Sequence, residues 1–87
     1  MKYAYFNYDP VGPSIFFYTD GEGTPKETHF NIEDTDRLVE AISASIQTSG
    51  ADHLVCNSAA MGLKDSINKY LASMYGYTNP LVFEMNN

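Results

Sequence analysis

The sequence predicts a single α/β (α+β) domain. Its expected core is one mixed five-stranded sheet with two helices, in the order β-β-β-α-β-α-β. Three observations predict it. Residues 2–32 hold three short strand-like runs, the first two rich in aromatic residues and the third alternating, separated by turns rich in glycine and proline. Beyond residue 33 the apolar period changes from two to that of a helix. Two later apolar runs, each after a helical segment, have the length of a strand.

The first strand is read over residues 2–8, with Tyr3, Tyr5, Phe6 and Tyr8. Asp9-Pro10-Val11-Gly12-Pro13 ends it, because two prolines cannot donate to a ladder. The second strand covers residues 14–19 with Ile15, Phe16, Phe17 and Tyr18. Asp20-Gly21 then suits a hairpin turn with positive φ. A third strand over residues 26–32 alternates Glu27, His29 and Asn31 against Thr28, Phe30 and Ile32. These three strands form an antiparallel meander.

Leu38, Val39, Ile42 and Ile46 recur at helical spacing and predict a helix over residues 34–49. Asn31 or Asp34 supplies its cap, and Glu33, Asp34 and Asp36 suit the positive end of its dipole. Gly50 stops it. Residues 53–56 read as a buried fourth strand. Asn57 or Ser58 caps a second helix carrying Leu63, Ile67, Tyr70, Leu71 and Met74 on one face, closed by Gly76. Residues 81–84 form the last strand. A helix between two strands implies a parallel crossover, used twice.

The chain has 87 residues, so residues 1–87 make one small α/β domain. Its net charge is −6, and its five basic residues, Lys2, Lys26, Arg37, Lys64 and Lys69, are scattered. A phosphate-tracking surface needs clustered cations, so no direct binding of nucleic acid is expected. The charge steers the chain towards basic partners, with acidic mimicry of DNA as an extreme case. No apolar run is long enough to span a membrane. One cysteine and an N-terminus without the signal-peptide pattern point to the cytoplasm.

The element order resembles the ribonuclease H-type core, also found in halves of actin-like ATPases. The nuclease form implies acids on the first strand, in the first helix and at the end of the fourth strand, holding metal ions. Here those places offer Asn7 (with Asp9 already in the turn), Glu40 and Asn57. The ATPase form implies a glycine-rich phosphate hairpin, where this chain has one glycine between two prolines. The resemblance therefore implies a fold and no activity.

Neither metal nor cofactor is expected, since one cysteine and two separated histidines make no recognisable ligand spacing. Asp20, Glu22 and Glu27 flank a loop without the EF-hand pattern. Cys56 lies before a helix start, but strand alternation puts His53 on the opposite face, and a buried structural thiol is the expectation. The start of the second helix, with Asn57, Ser58, Ala59 and Gly62, is a candidate site for an anion or small ligand in a binding or enzymatic domain, or else ordinary capping. The acidic stretch Glu33, Asp34, Asp36 and Glu40 is either a contact surface or a solvated helix start.

Seven tyrosines and five phenylalanines are many for this length. One layer of helices cannot cover both faces of a sheet that carries them. The expectation is a non-catalytic interaction module, acting as a homodimer or with a protein partner. Its candidate contacts are Tyr3, Tyr5, Tyr8, Phe16 and Tyr18, with the exposed sheet face left open.

Overall fold

A computed structural model describes residues 2–86. The strands are β1 (Tyr3–Asn7), β2 (Ser14–Thr19), β3 (Pro25–Phe30), β4 (His53–Cys56) and β5 (Val82–Met85). The helices are α1 (Thr35–Ser49), α2 (Ser58–Met61) and α3 (Lys64–Tyr75). They build one mixed five-stranded sheet in the order β3-β2-β1-β4-β5. β1, β2 and β3 pair antiparallel, and β4 and β5 add in parallel beyond β1. The meander and both parallel additions are as the element order led us to expect.

The expected second helix is two. After α2, Gly62 and Leu63 donate to Ala59 O and Ala60 O, three residues back instead of four. This tightening ends α2 and re-aims the chain into α3. The apolar spacing runs on from Ala60 in α2 through Leu63, Ile67 and Leu71, so periodicity alone hides the break. Met74 shares that spacing but is 61% exposed, and the buried stripe ends at Leu71.

Asp34 caps α1, accepting from Asp36 N and Arg37 N. Gly50 and Gly76 terminate α1 and α3 with φ of 71° and 69°, a region that a Cβ disfavours. In the β2–β3 loop the positive φ falls on Gly23, not on Gly21. There Asp20 Oδ1 accepts from Glu22 N and Thr24 N, so its carboxylate organises the turn. These two N–H donors hold the Asp20 carboxyl below its usual value.

Strand alternation sorts the sheet residues onto two faces. Ala4, Phe6, Phe16, Leu54 and Cys56 are buried. They pack with Leu38, Val39, Ile42, Ile46, Ala60, Leu63, Ile67 and Leu71 from the helical side. All three helices therefore cover the same face.

Candidate functional site

Among the described residues, none forms a layer over the opposite face of the sheet. Its residues follow from the register. One row runs Tyr3, His53 and Val82, and Thr19 pairs with Pro25 towards the other edge of the sheet. The next is Glu27, Phe17, Tyr5, Val55 and Glu84, and a third begins His29, Ile15, Asn7. Tyr3, Tyr5 and Val82 are 39%, 45% and 47% exposed, beside half-buried Phe17, Ile15 and Val55. The Tyr5 and Phe17 rings are centred 6.1 Å apart, and the Tyr3 ring lies 4.9 Å from that of His53. Bulky rings thus form a continuous patch over β2, β1 and β4, and Val82 extends it to β5.

Acids sit at both sides of this patch. Glu27 lies on β3 and Glu84 on β5, at opposite ends of the row through Tyr5. Glu27 contacts His29 at 3.2 Å, and Glu84 lies 3.7 Å from His53. Asp52, at the start of β4, accepts from Lys2 N at 2.9 Å and approaches His53 at 3.4 Å. The Lys2 backbone donor, with a smaller share from His53, holds the Asp52 carboxyl below its usual value. No lysine or arginine shares this face. Lys2 turns its amine over the Tyr18 ring, and Lys26 pairs in register with Tyr18 on the helical side. Arg37, Lys64 and Lys69 are on the helices.

The expected contact residues divide between the two faces. Tyr3 and Tyr5 are on the open one. Phe16 is only 1% exposed beneath the helices, while Tyr8 and Tyr18 are half-buried against the core. Phe16 and Tyr18 follow the parity of β2 and Tyr8 that of β1, so the three point to the helical side. The open face also carries Phe17, Val55, His53, Val82, Glu27 and Glu84, which the sequence reading did not select. One signal was available. On β1 the odd positions hold Tyr, Tyr and Asn, whereas the even ones hold Ala and Phe. A tyrosine hydroxyl wants water or a partner, so the tyrosine side is the wet side.

The start of α2 is built differently from a ligand site. Asn57 Oδ1 accepts from Ala60 N at 3.2 Å, the ordinary cap bond, and also from Tyr8 N at 3.0 Å. Its Nδ2 donates to Tyr8 O at 2.8 Å. The side chain thus clamps the end of β1 to the end of β4 while capping α2. Ser58 is exposed, Ala59 half-buried and Ala60 fully buried, and α2 is a single turn. The hollow beside it, lined by Tyr5, Asn7, Ile15, Val55, Asn57 and Asn86, measures about 160 Å³. That is well below the ~300 Å³ at which small-molecule pockets begin.

Cys56 is buried with its sulfur 3.4 Å from that of Met61, and burial pushes its thiol above its usual value. His53 faces the other side of β4, and His29 lies three strands away. No base is placed to activate the thiol. Among the described residues, no three of His, Cys, Asp and Glu converge as a metal would require. No described helix is long and apolar enough to cross a membrane. In the acidic stretch, Asp34 is engaged as the α1 cap, and Glu33, Asp36 and Glu40 are exposed.

No protein-family model matches the chain, and no curated protein or solved structure is significantly similar to it.

Proposed function

We propose that this chain is a small protein-interaction module, without chemistry of its own, which binds a partner protein through the uncovered face of its sheet. The observation that carries this reading is the contiguous set Tyr3, Tyr5, Phe17, Val55 and Val82 on the face opposite the helices. Exposed apolar residues scattered singly need no explanation, but a patch of adjacent rings rimmed by acids does. Tyrosine suits such a surface because it brings large area at little conformational cost and keeps a hydroxyl for a polar contact. The parallel half of the sheet adds to the argument, since parallel strands are ordinarily covered on both faces. A reducing compartment such as the cytoplasm fits the single buried thiol.

The test is a peptide-display selection on the immobilised chain, with survivors rescreened on two variants. Tyr5→Asp puts a charge in the centre of the patch, and Met74→Asp puts one on the exposed end of α3. Binders that lose at least tenfold in affinity on Tyr5→Asp and hold on Met74→Asp support the reading. Binders indifferent to Tyr5→Asp overturn it.

A further inference from the structure

The structure assigns a partner chemistry to this face, resting on the interaction reading above: we propose that it accepts a cationic amphipathic helix of another protein rather than a second copy of this chain. The row Glu27, Phe17, Tyr5, Val55, Glu84 has an apolar centre and a carboxylate at each end. Strands lie about 4.8 Å apart, so each carboxylate stands about 10 Å to one side of a line along β1. A helix with its side chains is about 10–12 Å across. Laid along β1, it sets its apolar stripe on Tyr3, Tyr5 and Val55. Lysines or arginines on its two flanks then reach Glu27 on one side and Glu84 on the other.

A second copy fits poorly. Homodimers form by two-fold symmetry. For faces centred on Tyr5, a two-fold axis along the strands sets Glu27 of one copy on Glu84 of the other. An axis across the strands sets each glutamate on itself. In both of these aligned packings carboxylate meets carboxylate. The nearest positive candidates, His29 and His53, already lie against Glu27 and Glu84. No lysine or arginine on the face relieves the repulsion, and each chain carries a net charge of −6.

The probe is a fourteen-residue helical peptide with a leucine stripe (roughly four turns), made once with lysine flanks and once with glutamate flanks. Both are titrated by NMR into the wild-type chain and into two folded variants of equal charge change. These are Glu27→Lys/Glu84→Lys on the face and Glu22→Lys/Glu33→Lys away from it. Expected are shifts centred on Tyr3, Tyr5, Phe17 and Val55, and at least tenfold tighter binding of the lysine peptide. The face variant should lose at least tenfold and the control under threefold. Equal loss in both variants overturns the inference, because the attraction is then to net charge alone. Equal binding of both peptides overturns the partner's charge but leaves the docking face standing. A dimer that Tyr5→Asp dissolves, with no peptide bound, makes the second copy the occupant. A monomer that binds neither peptide overturns the inference, while the reading beneath it stands or falls on the Tyr5→Asp arm of the display selection.

Discussion

Replacing Asn57 by aspartate separates two accounts of that residue. As a helix cap, aspartate serves as well as asparagine, so a residue that only caps α2 would tolerate the change. As a clamp, it would not. Nδ2 donates to the Tyr8 carbonyl at 2.8 Å, and a carboxylate has no hydrogen to offer there. The lost bond is worth about 1 kcal/mol, and a half-buried carbonyl left facing a carboxylate oxygen adds about 1–2 kcal/mol. Asn57→Asp should therefore cost about 2–3 kcal/mol at pH 7. For a domain of this size that lowers Tm by about 10–20 °C. Urea denaturation followed by circular dichroism measures it, with Asp34→Asn in the α1 cap as the matched control. Asn57→Asp within about 0.5 kcal/mol of the wild type would refute the clamp, because a surface-like change lies in that range.

Phe6→Ala should cost about 3–5 kcal/mol in the same assay, since Phe6 fills the core under the helices. Tyr5→Ala, one position away on the open face, should stay within about 1 kcal/mol, and a loss as large as that of Phe6→Ala would mean that something covers the ring. Asp20 and Asp52 have carboxyl groups held below their usual value by backbone donors. A folded-state value below the unfolded one stabilises the fold above the unfolded value, about pH 4, and is lost as pH falls through the folded one. Asp20→Asn and Asp52→Asn should thus be less stable than the wild type at pH 7, with the gap narrowing as the pH falls below about 4. The Cys56 thiol should react with a disulfide reagent only at the rate of unfolding, and its immediate reaction in the native chain would contradict its burial.

Much of the architecture could be read from local pattern. α1 announced itself through Leu38, Val39, Ile42 and Ile46 between an Asp34 cap and Gly50, features that act within one helix. The strands were visible because proline and glycine separate aromatic runs. The break between α2 and α3 was hidden, since buried Ala60 in α2 and Leu63, Ile67 and Leu71 after it keep helical spacing across it. The open face was ambiguous for a related reason. On β2, Phe16 and Phe17 are adjacent and point opposite ways, so hydrophobicity cannot say which is covered. Register decides it, by placing Phe17 beside Tyr5 and Phe16 beside Phe6. The double duty of Asn57 joins residues 49 positions apart, a separation no local pattern reports.

Hydroxyl-radical footprinting of the tyrosines in the dilute monomer addresses the open face most directly. Tyr3 and Tyr5 should label faster than half-buried Tyr8 and Tyr18, and lose that reactivity when a partner binds. Protection of Tyr3 and Tyr5 in a chain that sedimentation shows to be alone would contradict the account.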